Sequence, residues 1–201
     1  MKLMGDEQRD RVLDAGMDQF IRYGFRKTTM GDIAGAAEMS RPAVYLVFQN
    51  KEEIFRGVCE RHSDRTLELG RARIATCKNL PEKIAAVFET WVIEPYQLIS
   101  QSPEAQELFV SSYSFAADLI QRGGGMYESL MMEAIESSPE VDRSALKRIG
   151  LSTNAVGKAL ARSSWKLDQA IPDIDELRAV LKTLVQVYEV VLTGGHAGAK
   201  V

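Results

Sequence analysis

The chain has 201 residues, 45% of them hydrophobic, and a formal net charge of −3 at pH 7. This length allows one large domain or a small and a medium one, and the composition excludes a disordered or fibrous protein. No apolar run reaches the roughly 18 residues of a membrane span, and the N-terminus lacks the apolar core of a signal peptide, so we expect a cytoplasmic protein. The charge is uneven, because residues 20–51 carry a net charge of +3 and residues 52–201 carry −4. A basic head on an acidic body is typical of a protein that contacts phosphate with one end.

Helical spacing dominates the sequence from the first segment onward, and no strand alternation is present. Apolar or small residues recur at steps of three and four as far as Gly24, which we expect to end the first helix. Thr29 is the predicted N-cap of a second helix that begins at about Met30, with Asp32 in the capping-box position. The first two helices are therefore predicted from local signals.

A third, short helix is predicted after the break at residues 38–40. Ser40 can cap this helix, and Pro42 is tolerated in its first turn because first-turn amides have no partner within a helix. We expect the helix to end near Phe48. Its apolar side chains Val44 and Phe48 are predicted to face a cluster formed by Phe20, Ile33 and Ala34.

A long fourth helix is predicted over residues 51–77, with Asn50 as its N-cap and Glu53 reaching back. If this helix is continuous, Cys59 and Cys77 lie about 27 Å apart, which is too far for a disulfide. Two buried thiols are the favoured interpretation, with a redox sensor as the alternative. Breaks at Ser102-Pro103, Gly123–Gly125, Ser138-Pro139 and Ile171-Pro172 delimit further helices, predicted at about 82–100, 104–122, 126–137, 139–167 and 173–193. The sequence thus predicts an all-α protein of about nine helices, with a kink at Pro95.

Residues 29–48 have the length of a helix-turn-helix, in which the second helix lies in the major groove of DNA. Arg41 can donate hydrogen bonds to guanine or phosphate, Ser40 can hold a phosphate, and Ala43 or Val47 can touch a thymine methyl group. A three-helix packing motif that never contacts DNA is the alternative. The candidate DNA-binding residues are Thr28, Thr29, Ser40, Arg41, Pro42, Ala43, Tyr45, Leu46, Val47 and Lys51.

The same segment resembles the TetR family of regulators. The run Phe20–Ala34 is similar to its signature, in which an aromatic residue and Tyr-Gly precede paired threonines and Asp-Ile-Ala. Residues 40–55 resemble its recognition helix and the Phe-x-x-Lys-Glu junction that follows. The chain departs from the family at Pro42, where glycine is frequent, and at Leu46-Val47, where an aromatic residue and histidine are frequent.

The resemblance implies a ligand-responsive, dimeric repressor that binds a palindromic operator in double-stranded DNA through the helix at about 41–48. It divides the chain into an N-terminal three-helix DNA-binding domain, residues 1–50, and a helical effector-binding and dimerisation domain, residues 51–201. The expected trigger is an unidentified small molecule that moves the fourth helix and so changes the spacing of two DNA-binding heads. Only a ligand with different affinities for the two states can drive such a switch.

The resemblance also implies a homodimer interface built from the helices at about 139–167 and 173–193. The last helix is apolar on more than one face, as expected for a helix buried on several sides. Burial within a single chain is the alternative explanation. The effector pocket is expected in the C-terminal domain, although aromatic and methionine side chains are also common in plain cores. Its candidate residues are His62, Trp91, Tyr96, Phe109, Tyr113 and Met126.

Two other classes of protein were weighed. An enzyme would need a cluster of catalytic side chains, yet the only histidines are His62 and His196, and neither metal-ligand spacing nor a phosphate loop is present. His62 is interpreted as a helix-surface residue, with a pH or metal sensor as the alternative. We therefore expect no catalytic residue, no metal and no cofactor other than the effector. A helical protein–protein module is the second rival, and the salt dependence of DNA binding distinguishes it.

Overall fold

The computed structural model describes residues 2–100, 103–104 and 116–195 of the chain. Every regular element in these ranges is helical, which confirms the predicted all-α class. None of these helices combines the length and the apolar character that crossing a bilayer requires. In chain order the helices are α1 (Lys2–Tyr23), α2 (Met30–Ala36), α3 (Arg41–Tyr45), α4 (Lys51–Thr76), α5 (Leu80–Phe88), α6 (Glu94–Ile99), α7 (Ala117–Glu136), α8 (Arg143–Arg148), α9 (Thr153–Ser164), α10 (Leu167–Ala170) and α11 (Ile174–Leu192).

The helices pack into two compact units, and α4, α6 and α7 contribute residues to both. The predicted boundary at residue 50 coincides with the start of α4, but packing into units does not define functional domains, so this boundary stays a prediction. The first unit comprises Met1–Asp64 and Gln97–Arg122, and the second comprises Arg65–Tyr96 and Gly123–Val201.

The core of the first unit is built around three phenylalanines. The rings of Phe20, Phe25 and Phe55 have centroids 5.4–5.5 Å apart in tilted and edge-to-face arrangements. Such arrangements add to the free energy gained from burying the rings. Gly24 ends α1 as predicted, because its φ of 79° is a conformation that costs glycine little. At the surface, Arg61 of α4 donates to the Asp14 carboxylate on α1 at 2.6 Å.

The core of the second unit is assembled from α5, α7, α9 and α11, whose buried side chains form one cluster. The helical geometry changes just before Pro95, where the sequence predicted a kink. Residues Glu89–Ile93, between α5 and α6, form a π-helical turn in which the amide of Glu94 donates to the carbonyl of Glu89. A proline nitrogen has no hydrogen to donate, and the wider turn accommodates the lost hydrogen bond.

Two predicted boundaries were wrong. Gly123–Gly125 do not interrupt the chain, since α7 continues through them as one helix of 20 residues. The packing of its buried side chains, among them Tyr127 and Leu130, outweighs the low helix propensity of glycine. The predicted helix over 139–167 is divided into α8 and α9, because Gly150 takes a φ of 75° and Ser152 then caps α9. The predicted helix at 104–122 lies largely outside the described residues.

Both cysteines are free thiols, as the spacing argument predicted. Burial raises the pKa of the Cys59 thiol to about 12. Burial also raises the pKa of Cys77, whose thiol donates to the carbonyl of Arg73 at 3.3 Å. A redox sensor needs an accessible thiol with a lowered pKa, so the structure favours the interpretation of both residues as packing side chains.

Candidate DNA-binding surface

Helix α2 begins with the predicted capping box. The hydroxyl of Thr29 accepts from the amide of Asp32 at 3.2 Å, and the Asp32 carboxylate accepts from the amide of Thr29 at 2.9 Å. The same carboxylate accepts from the Thr29 hydroxyl at 2.7 Å. The pKa of Asp32 is lowered, chiefly by the hydrogen bond from the Thr29 hydroxyl. The hydrogen bond from the Thr29 amide and the nearby charge of Arg41 lower this pKa further. Asp32 is therefore a fixed negative charge at the exposed start of α2.

The turn between α2 and α3 closes with a Schellman motif. The amide of Glu38 donates to the carbonyl of Gly35, and the amide of Met39 donates to the carbonyl of Ala34 at 2.9 Å. Glu38 takes a φ of 54°, the left-handed conformation that this motif requires and that usually falls to glycine. Arg11 of α1 donates to the carbonyl of Ala37 at 2.6 Å and so ties this turn to the first helix.

Helix α3 starts at Ser40, whose hydroxyl accepts from the amide of Ala43, and it accommodates Pro42 in the first turn as predicted. Val44 and Phe48 are fully buried, in the same cluster as Ile33. The helix ends at Tyr45, earlier than the predicted Phe48, because the amide of residue 47 donates to the carbonyl of Val44 and tightens the last turn. The predicted inner face of α3 is confirmed, and its length was overestimated.

The outer surface of α3 is mainly apolar. The side chain of Leu46 is 85% exposed and that of Tyr45 is 47% exposed. Pro42 is exposed as well, whereas Ala43 and Val47 are half-buried. Of the seven residues from 41 to 47, only Arg41 and Tyr45 carry a polar side-chain group.

Arg41 lies across the backbone of α2 rather than along α3. A Cβ atom built on Gly31 would stand 2.7 Å from Cζ and 2.8 Å from Nε of the Arg41 guanidinium group. No side chain larger than hydrogen therefore fits at position 31 while Arg41 keeps this orientation. Gly31 was not among the predicted residues, because a glycine inside a helix carries no signal for the partner that approaches it.

Thr28 and Lys51 were predicted to anchor DNA phosphates, and the structure gives both an internal role. The Thr28 side chain is 2% exposed, and its hydroxyl donates to the carbonyl of Gly24 at 2.8 Å. The Lys51 ammonium group donates to the carbonyls of Phe25, Arg26 and Thr28 at 2.8–3.3 Å. Thr28 is therefore too buried to be a proposed DNA contact. The main role of Lys51 is to hold the loop between α1 and α2.

The junction between α3 and α4 follows the prediction closely. The side chain of Asn50 accepts from the amide of Glu53 at 2.8 Å, as an N-cap does. The Glu53 carboxylate reaches back to the amide of Gln49 at 2.6 Å, one residue before the cap. These hydrogen bonds fix the direction in which α4 leaves the helix-turn-helix.

A model of the family described as bacterial regulatory proteins, tetR family, matches residues 12–58. This range contains α2, α3 and the turn between them, together with the junction to α4. Residues 12–58 therefore carry the N-terminal domain of this family. The family is one of bacterial regulatory proteins, and this match accords with the expectation of a regulator rather than an enzyme.

Relatives within the family differ in how much of the chain they match. The transcriptional activator FasR of Mycolicibacterium smegmatis is 26% identical over 62% of this chain and 64% of its own length. The transcriptional repressor ComR of Escherichia coli is 39% identical over 28% of this chain and 27% of its own length. The chain thus spans less than two thirds of these curated relatives. SmeT is the repressor of a Stenotrophomonas maltophilia multidrug efflux pump, and its structure has been solved in complex with triclosan. This chain matches that structure with a TM-score of 0.59 and 18% identity over 90% of each chain. The match shows that the two proteins share the fold.

The predicted effector residues fall in both units. Trp91, Tyr96 and Met126 belong to the second unit and are half-buried, whereas His62 is exposed on α4 in the first unit. The Tyr96 hydroxyl donates to the carbonyl of Pro172. Two further candidates, Phe109 and Tyr113, lie outside the described residues.

An aromatic cluster in the second unit was only partly predicted. The ring of Tyr127 lies between those of Trp91 and Trp165, with centroid distances of 6.0 and 5.5 Å. Its hydroxyl forms a buried 2.7 Å hydrogen bond with Ser164, and burial raises its pKa. Burial also raises the pKa of Asp168. Trp165 lies within the range 139–167 that was predicted as an interface helix, and no sequence spacing linked it to Tyr127.

Proposed function

We propose that this chain is a DNA-binding transcriptional regulator that acts in the cytoplasm as a homodimer on a palindromic operator. The observation that carries the proposal is the capped pair α2–α3 within the segment that matches the family model. The buried face of α3 fixes the helix on its unit, and the opposite face is exposed. A short helix held in this way is the element that enters the major groove in helix-turn-helix proteins.

The proposed contact set follows from exposure. Its members lie at the starts of α2 and α3 and along the outer face of α3, and their side chains are exposed or half-buried. Lys51 contributes its charge from the start of α4 while it holds the preceding loop. The proposed DNA contacts are Thr29, Ser40, Arg41, Pro42, Ala43, Tyr45, Leu46 and Val47.

A homodimer through α9 and α11 is proposed because α11 keeps apolar side chains on its outer side. Val187 is 52% exposed and Val190 is 49% exposed, one turn apart on that helix. Val156 and Leu160 of α9 are already buried in the core of their own unit, so they support the chain itself. A two-fold operator requires a two-fold protein, and an isologous interface supplies one.

We further propose that the regulator is a repressor released by a small apolar molecule. SmeT, which shares the fold, has been solved in complex with triclosan, while FasR is an activator and ComR a repressor. The partly exposed aromatic rings of Trp91 and Trp165 offer the apolar lining that small-molecule sites have. A compound that lowers operator affinity must bind the DNA-free state more tightly than the DNA-bound state.

The test is fluorescence anisotropy of the full-length chain with the duplex upstream of its own gene and with a scrambled duplex of equal composition. We expect preference for the upstream duplex and an affinity that falls steeply, by about a hundredfold or more, between 50 and 200 mM salt. Arg41→Ala should weaken binding, whereas Arg148→Ala, an exposed arginine on α8, should not. Equal affinity for both duplexes in every salt concentration contradicts the proposal.

A helical protein–protein module is the second candidate function, favoured by the exposed Leu46. An apolar helix interface responds weakly to salt, whereas displacement of counterions from DNA responds strongly. The same titration therefore separates the two functions. In a second assay, transcription from the upstream promoter distinguishes a repressor from an activator by the sign of the change when the protein is added.

A further inference from the structure

The exposed side of α3 divides into a charged part and an apolar part. The charged part is Arg41, whose guanidinium group lies over Gly31 on α2. The apolar part consists of Tyr45 and Leu46 together with the half-buried Val47. Arg41 is the only cation between residues 28 and 50.

The position of Arg41 directs its charge toward the junction of α2 and α3. Gly31 leaves the space that the guanidinium group fills, and the carboxylate of the neighbouring Asp32 interacts electrostatically with it. An arginine that reads guanine must extend along the groove and offer two parallel donors to one base. Because its guanidinium group lies over the first turn of α2, Arg41 is positioned to bind a phosphate of the DNA backbone instead of a base.

Without Arg41, the remaining surface of α3 has little capacity for hydrogen bonds to bases. Residues 42–47 contain no amide, carboxylate or cationic side chain, and their one polar group is the phenol of Tyr45. The side-chain amide of Gln49 donates to the carbonyl of Tyr45 at 3.5 Å. In the major groove the only apolar feature of a base edge is the 5-methyl group of thymine.

We propose that this chain recognises its operator mainly through thymine methyl groups contacted by Tyr45, Leu46 and Val47, while Arg41, positioned by Gly31, binds a phosphate. The inference rests on the proposed DNA-binding function and names the class of sequence that this surface selects. The operator half-site is expected to present thymines toward the outer face of α3. Leu46 provides the largest share of this contact because the residue is 85% exposed.

The experiment starts from duplexes selected by the full-length protein from a random library. Each thymine in the selected sequence is replaced singly by deoxyuridine, which removes the 5-methyl group and leaves base pairing unchanged. We expect at least two positions per half-site at which the affinity drops about fourfold, the effect of uncovering one buried methyl group. Loss of affinity at none of the thymines overturns the proposal.

Leu46→Ala identifies the protein side of the contact. The variant should bind the thymine operator several-fold more weakly, and the deoxyuridine penalty at one position per half-site should disappear. Leu46 is exposed, so the substitution removes no core contact, and an unchanged thermal transition serves as the control. If Leu46→Ala changes the oligomeric state and leaves DNA affinity unchanged, the surface binds protein and the proposal is wrong.

Arg41→Ala and Gly31→Ala test whether the guanidinium group of Arg41 binds a DNA phosphate. Both should make the negative slope of log affinity against log salt shallower by about one for each half-site. The losses of affinity caused by deoxyuridine should remain. In Gly31→Ala only the far end of the Arg41 side chain has to move, and alanine favours the helix, so α2 should remain folded. A change in the preferred base at a guanine position in Arg41→Ala would make Arg41 a base reader and contradict the proposal. Failure of the selection to enrich any duplex counts against the DNA-binding function itself.

Discussion

The ammonium group of Lys51, at the first position of α4, donates a 2.8 Å hydrogen bond to the carbonyl of Phe25. It also stands 4.5 Å from the centre of the Phe25 ring. Two further carbonyls, those of Arg26 and Thr28, accept from the same group at 3.3 and 3.1 Å. Lys51 thereby closes the loop that precedes the helix-turn-helix.

Lys51→Met should lower the free energy of unfolding by about 1–3 kcal/mol, because hydrogen bonds from a charged donor are lost and carbonyls are left without a partner. The measurement is urea unfolding followed by circular dichroism. Lys27→Met is the matched control, since Lys27 lies in the same loop and, among the residues that the structure describes, its exposed ammonium group forms a hydrogen bond with Glu104, at 3.5 Å. Equal stability of the two variants would show that Lys51 is a surface charge without a structural role.

Glu38→Gly should stabilise the protein by up to about 1 kcal/mol, because a left-handed residue with a Cβ atom is strained by roughly 1–2 kcal/mol. Glu38 has a φ of 54° at the end of α2. Glycine also loses more chain entropy on folding, which offsets part of the gain. Thermal unfolding measures the change, and Glu38→Ala, which removes the charge but keeps the Cβ atom, should show no comparable gain. A gain in both variants would assign the effect to charge.

The buried pair Tyr127–Ser164 should respond unequally to removal of its two hydroxyls. Ser164→Ala leaves the Tyr127 hydroxyl without its partner and should cost about 1–3 kcal/mol. Tyr127→Phe should cost only about 1 kcal/mol, because the Ser164 hydroxyl still donates its 2.7 Å hydrogen bond to the carbonyl of Leu160. Urea unfolding of both variants and of the double variant measures the coupling. The reverse order of the two costs would contradict this account.

The features that the sequence predicted well depend on neighbours within four residues. The capping box of Thr29 and Asp32, the stop at Gly24 and the cap at Asn50 are local, and the structure contains all of them. Short-range hydrogen bonds of this kind need no knowledge of the tertiary fold. The end of α1 and the starts of α2, α3 and α4 could therefore be predicted.

The features that the sequence missed depend on residues brought together by tertiary packing. Arg41 and Gly31 are ten positions apart and meet because α2 and α3 pack against each other. Lys51 was assigned to DNA because an exposed lysine beside a helix-turn-helix is a natural phosphate ligand, yet residues 25–28 fold back onto it. Helix α7 passes through three glycines because its buried side chains stabilise it. Propensity is a weak guide wherever such packing intervenes.

The thiol of Cys59 should make stability depend on pH only in alkaline solution. Burial raises its pKa from an ordinary value near 9 to about 12 in the folded chain. Below pH 9 the thiol is neutral in both states, and above it the unfolded chain loses a proton that the folded chain keeps. Stability should therefore fall as the pH rises from about 9 toward 12. Urea unfolding at pH 8 and pH 10 measures the fall, which should be smaller in Cys59→Ala; an equal fall would assign it to other groups.

Val187→Glu should dissociate the proposed homodimer without unfolding the chain. Val187 is 52% exposed on α11, so a carboxylate is solvated in the monomer, whereas at an apolar two-fold interface two such charges would be desolvated close together. Analytical ultracentrifugation should show a dimer for the wild type and a monomer for the variant. Gln186→Glu is the matched control, since the neighbouring residue is exposed and points to a different side of the helix. A dimer that persists in Val187→Glu, or one that dissociates equally in Gln186→Glu, would place the interface away from the Val187 face of α11.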